Sequence, residues 1–165
     1  MTIAPKLHRY LDALDADYEL IDHAPTRSAM QNARACHISP DQVVKAVLLD
    51  TTDDYLLAIL PSDRRLELTD LRDELGLKPR LAAEQALADV FDDCLPGAVP
   101  PLGASYGIAS IVDNSLAAQP DIYFEGGDHA SLVHMNQREF ARLTGPAQHG
   151  SFSEPWADRD ARDGR

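Results

Sequence analysis

At 165 residues the chain is long enough for one compact domain and short for two. Hydrophobic residues make up 44% of it, enough for a core, yet no run approaches the roughly 18 consecutive apolar residues that would cross a membrane. The net charge of -12, with Lys6, Lys45 and Lys78 as the lysines, excludes a general nucleic-acid coat and leaves room for a binder of one RNA end that uses a few local cations.

In chain order, residues 5–14 carry Leu7, Tyr10, Leu11 and Leu14 at helical spacing, with Pro5 where a first-turn proline is tolerated. Residues 18–22 alternate and read as a short strand. His23, Ala24, Pro25 and Thr26 form a breaker, and residues 28–37 favour helix. The apolar run 43–49 reads as a buried strand, the polar stretch 50–54 as a turn, and 55–60 as its hairpin partner. Two short helices are expected next. Thr69 is placed as the cap of the first and Gly76 as its end, and the second covers 82–90. A proline- and glycine-rich loop at 95–103 precedes strand candidates at 106–112, 121–124 and 131–135. Asn136 then caps a helix over 137–143. The polar, aperiodic stretch 146–165 is expected to be a mobile tail behind a domain spanning 1–145. Helices and strands alternate irregularly, which indicates a mixed α/β domain of α+β type.

Cys36 and Cys94 fit no metal or redox spacing and read as free thiols. No metal-binding, P-loop or dinucleotide motif occurs, so no cofactor is expected. A leader pattern is missing at the N-terminus, and the expected compartment is the cytoplasm.

Three features can carry chemistry. Lys45 lies inside an apolar strand of a lysine-poor chain. It is either a cleft-facing cation or a solvent-facing side chain on a half-buried strand. Gly97, Ala98, Val99, Pro100, Pro101 and Gly103 belong to one stiff loop, which either presents backbone N–H groups to a ligand or is a rigid connection. Gly127, Asp128 and His129 sit in a turn between two strands, where His129 is either a proton-handling group or a solvated turn residue.

The ordered set of His23 to Thr26, Lys45 with Ala46, the loop from Gly97 to Gly103 and the turn ending in His129 resembles the YbaK / prolyl-tRNA-synthetase-associated editing-domain superfamily, from about Leu7 to Leu143. The resemblance is to its free-standing, single-domain members. It implies a mixed, partly rolled sheet with helices outside. It also implies hydrolysis, without a metal, of the ester joining a mischarged amino acid to the acceptor end of transfer RNA. The family's strand lysine maps to Lys45 and its glycine–proline loop to residues 97–101. Its glycine-x-histidine turn maps to Gly127, Asp128 and His129, with aspartate where serine is common.

On this resemblance Lys45 and His129 are the expected catalytic residues. His23, Thr26, Met30, Ala46, Gly97, Ala98, Val99, Pro100, Pro101, Gly103, Gly127 and Asp128 are the expected substrate contacts, and Ile108 joins Met30 as a candidate pocket wall. The expected partners are mischarged aminoacyl-tRNA and an aminoacyl-tRNA synthetase. The competing reading is a non-catalytic module that binds aminoacyl-tRNA or docks on a synthetase.

Overall fold

The computed structural model describes residues 3–156. In chain order the elements are α1 (Pro5–Ala13), β1 (Glu19–Asp22), α2 (Ala29–Cys36), β2 (Val43–Asp50), β3 (Tyr55–Pro61) and β4 (Arg64–Leu66). Then come α3 (Leu68–Leu75), β5 (Arg80–Leu81), α4 (Glu84–Val90), β6 (Ala109–Asp113) and β7 (Asp121–Glu125). The last are β8 (Ser131–Asn136), α5 (Gln137–Thr144), β9 (Gln148–Gly150) and β10 (Ser153–Pro155). The main sheet runs β1-β8-β7-β2-β3-β6-β9, with β5 alongside β2, and β4 and β10 make a separate two-stranded ribbon. Parallel pairs (β2 with β7, β3 with β6, β6 with β9) mix with antiparallel ones, so the fold is the mixed α/β class the sequence indicates.

The unbroken apolar run of β3 has a plain cause. Leu57 and Ile59 enter one core with Leu7 and Leu11 of α1, Phe124, and Phe140 and Leu143 of α5. Ala58 and Leu60, on the opposite face, enter a second core with Leu71, Ile111 and Phe152. A strand covered on both faces has no polar side to show. In α5, Asn136 accepts from the Glu139 N–H at 2.9 Å, as its capping position requires.

Two expectations are corrected. Helix α3 begins at Leu68 behind Glu67, so Thr69 lies within the helix and is not its cap; Gly76 does end it, at φ +67°. The expected tail from 146 is structured through 156. Gln148–Gly150 adds to the sheet beside β6, and Ser153–Pro155 pairs with β4. Fully buried Phe152 anchors both strands, a burial that contributes about 1.5–3 kcal/mol. Polar strand sequences this short carry no periodicity, which is why the segment reads as tail. Residues 157–165 of that expectation lie outside the described residues.

The sheet splits where Lys45 stands. Strand β7 pairs with β2 at Val43 and Val44, and β5 pairs with it at Leu49 and Asp50. The β2 edge from Lys45 to Val47 is left without a strand neighbour among the described residues.

Candidate active site

A cleft of about 60 Å³ opens at this split. Lys45 and Ala46 of β2, the N-terminus of α2 with Ala29 and Asn32, Gly97 and Val99 of the stiff loop, and Glu125 and His129 line it. A second cavity of about 320 Å³ also touches Lys45 and is bounded by Met30, Arg34, Ser62 and Trp156. Of the expected site residues, the fold thus gathers Lys45, Ala46, Gly97, Val99 and His129 around one cleft and sets Met30 next to it.

Lys45 is mostly sheltered from water, and burial lowers its amine from 10.5 to about 8. The Asp63 carboxylate pulls it back up, and the Arg65 guanidinium pushes it further down. At pH 7, below that value, the amine stays mainly protonated. Its ammonium makes no hydrogen bond or ion pair among the described residues, and it lies 5.2 Å from the centre of the Trp156 ring. Asp63, raised by burial first and by Asp41 next, keeps one buried carboxylate oxygen without a hydrogen bond.

Behind the cleft a closed polar network sets the shape of the turn. The carboxylate of Glu125, 8% exposed, accepts at one oxygen from the Gly127 and His129 N–H groups, both at 3.0 Å. Its other oxygen accepts from Asn32 Nδ2 at 3.3 Å. Thr26 closes the circuit: its hydroxyl donates to the Asn32 carbonyl oxygen and its N–H to the His129 carbonyl at 3.0 Å. These bonds hold His129 at φ +59°, a left-handed conformation costly for a residue with a Cβ. The ring Nε2 then donates to the Pro96 carbonyl at 2.6 Å and ties the stiff loop to the turn. Gly97 follows at φ +81°, where glycine carries no penalty.

The loop offers fewer donors than its length implies. The Ala98 N–H is engaged by Leu95 at 3.0 Å, and Pro100 and Pro101 have none. The N–H groups of Gly97 and Val99 have no partner among the described residues.

Several expected contacts fall elsewhere. Ala98, Pro100 and Pro101 are buried members of the loop. Gly103 and Ile108 line a different cavity, of about 490 Å³, against α5. A Cβ at Gly103 would meet Ser110 Oγ at 2.3 Å and the Ile108 carbonyl at 2.7 Å, so this glycine serves packing. Gly127 and Asp128 face a groove beside Ile3 and Cys94. The Asp128 carboxylate is fully engaged by the Ala130 and Ser131 N–H groups and the Ser131 hydroxyl, at 2.8–2.9 Å. It fixes the turn, which accounts for aspartate at that position. His23 donates its ring Nδ1 to the Ala24 carbonyl at 2.7 Å and its backbone N–H to Ala130 at 2.9 Å. The Cys94 thiol, free like Cys36, is pushed up to about 12 by burial and is unreactive.

Sequence reasoning missed Asn32, Asp63, Glu125 and Trp156. Glu125 ends a strand, and Trp156 is the one tryptophan in the chain; neither position carries a motif.

Residues 23–143 match the model of the aminoacyl-tRNA editing domain, and the chain belongs to that family. The resemblance read from the motifs is thereby borne out. Among solved structures, a candidate trans-editing enzyme for prolyl tRNA synthetase superposes with a TM-score of 0.78 at 23% identity, over 93% of this chain and 99% of that one. A hypothetical protein, APE2540, gives 0.80 at 23% identity over 90% and 99%. A scaffold protein used for computational epitope grafting gives 0.77 at 24% identity over 92% and 99%. At these identities the likeness is one of fold. No curated protein matches the sequence significantly. Among the described residues no helix is long and apolar enough to cross a membrane.

Proposed function

We propose that the chain is an aminoacyl-tRNA deacylase, which hydrolyses the ester of mischarged transfer RNA in trans. The observation that carries this reading is the cation of Lys45 at the split of the sheet. It lines a small cleft together with Gly97 and Val99, whose backbone N–H groups have no partner among the described residues.

Ester hydrolysis passes through a tetrahedral oxyanion, and preorganised donors aimed at it lower the barrier. The Lys45 ammonium and the two N–H groups supply such donors, with Lys45 also able to hold a substrate phosphate by charge-assisted bonds. A cleft of about 60 Å³ exceeds the roughly 10–15 Å³ of such space that one water requires, which leaves room for a water beside the ester carbon. His129 enters as a positioning residue. Its Nε2 is held by Pro96, so it fixes the Gly97 donor in place, and the attacking water is aligned by the substrate's own ribose hydroxyl. The functional unit is a cytoplasmic domain that reaches at least residue 156. It receives the acceptor end of the transfer RNA, with an aminoacyl-tRNA synthetase as the source of the mischarged substrate.

The test is release of labelled amino acid from a panel of mischarged transfer RNAs, wild type beside Lys45→Met. Selective release, reduced at least about a hundredfold in the folded variant, is expected for loss of an oxyanion donor. Retention of full hydrolysis would remove Lys45 from the mechanism. No release by the wild type, with binding retained, would make the chain a recognition module.

A further inference from the structure

We infer that Trp156, delivered by the β4–β10 ribbon, is a positioning residue for Lys45 and that this ribbon is part of the site. The inference rests on the deacylase reading for its kinetic consequence and on geometry alone for the contact.

Trp156 lies beyond residues 23–143, the stretch that matches the family. The chain nevertheless places it firmly. Phe152 is fully buried, donates its N–H to Asp113 Oδ1 at 3.0 Å, and accepts from the Glu67 N–H at 2.7 Å. Arg64 then grips Ser153 twice, at 2.7 Å to its hydroxyl and 2.8 Å to its carbonyl. One residue past β10, the Trp156 N–H donates to the Asp63 carbonyl at 3.0 Å. This sequence of anchors brings the indole to 5.2 Å from Lys45 Nζ and 5.4 Å from Arg65 Cζ, inside the roughly 6 Å reach of a cation–π contact.

The chemistry favours an aromatic ring in this place. A carboxylate at bonding distance would hold the ammonium by occupying its N–H groups and would cancel its charge. A ring face attracts the charge and leaves the three donors of the ammonium free to meet substrate oxygens. Asp63 acts on Lys45 as a favourable charge without an ion pair, and Arg65 acts against it. Arg34 lines the larger cavity with it, and Arg27, Glu125 and His129 share the small cleft with it. With no hydrogen bond to fix it among the described residues, the direction of the ammonium is set by the indole.

Trp156 is also the one tryptophan in the chain, so its emission reports on its neighbour's charge without any substrate. The experiment follows that emission against pH in wild type and Lys45→Met, and measures the kcat, KM and pH profile of deacylation for Trp156→Ala and Trp156→Phe. The expected emission change has a midpoint near 8 in the wild type and is missing in Lys45→Met. For Trp156→Ala, kcat is expected to fall about tenfold or more with KM little changed, as for a misplaced group. The alkaline limb of its pH profile should shift as Lys45 loses the ring and gains water, and Trp156→Phe, which keeps a ring face, should recover most of the loss. Wild-type kcat and an unmoved limb in Trp156→Ala, or emission that ignores Lys45, would overturn the inference. If the wild type deacylates nothing, it is the deacylase reading that fails, and the emission titration still decides the contact.

Discussion

Replacing Lys45 by methionine is expected to stabilise the fold at neutral pH while removing the activity. The amine sits about 2.5 pH units below its ordinary value because burial disfavours its charge. At about 1.4 kcal/mol per unit, the native state carries a penalty of at most about 3 kcal/mol at pH 7. Methionine keeps most of the apolar stem that Lys45 packs in the strand. The gain, at most about 3 kcal/mol, should appear as a rise of up to about 1.5 M in the urea midpoint, for a slope of about 2 kcal/mol per M.

The pH dependence gives the sharper test. Between pH 8 and 10.5 the unfolded chain binds the Lys45 proton more tightly than the native state does, so wild-type stability from this group rises with pH. By pH 10 the ceiling on the penalty has dropped to about 1 kcal/mol. The advantage of Lys45→Met should shrink accordingly, while every other titrating group is common to both proteins and cancels. Urea unfolding of the pair at pH 7 and pH 10 measures this. A variant less stable than wild type at pH 7, or an advantage that does not shrink by pH 10, would refute the buried-ammonium argument.

Glu125→Gln removes the charge that accepts from Gly127, His129 and Asn32. It is expected to cost about 1–3 kcal/mol in thermal or urea unfolding and to speed amide exchange at Gly127 and His129. Gly103→Ala drives a Cβ into the Ile108 carbonyl at 2.7 Å. It should cost about 1–3 kcal/mol in urea unfolding and leave the pH profile of deacylation unmoved, since the clash lies away from Lys45. His134 binds Asp121 at 2.9 Å and also Glu19. Burial lowers its pKa, but these two hydrogen bonds outweigh that and raise it above 6.5. Its stabilisation is therefore full below pH 6.5 and fades as pH climbs through the raised value. His134→Gln should lower the urea midpoint at pH 5.5 more than at pH 8.5, and equal effects at both would show that the charge is not involved.

What the sequence by itself determined is local. The apolar runs of β2 and β3, the cap at Asn136 and the left-handed stop at Gly76 follow from spacing and backbone chemistry that neighbouring residues settle among themselves. Lys45 was conspicuous for the same reason, a charge within an apolar run. The motifs around residues 23–26, 97–103 and 126–129 sufficed to place the chain in its family. Whether Lys45 faced a cleft or solvent depended on where β7 leaves β2 and β5 joins it, which are long-range pairings. Only the folded chain separates Gly97, beside the cleft, from Gly103, packed against Ser110 and Ile108, because two glycines of one loop look alike until a neighbour's backbone arrives. The roles of Glu125, Asn32 and Trp156 come from contacts across 93 residues between the first two and between the last strand and β2. Sequence spacing holds no record of such contacts, since they form only when separate elements pack.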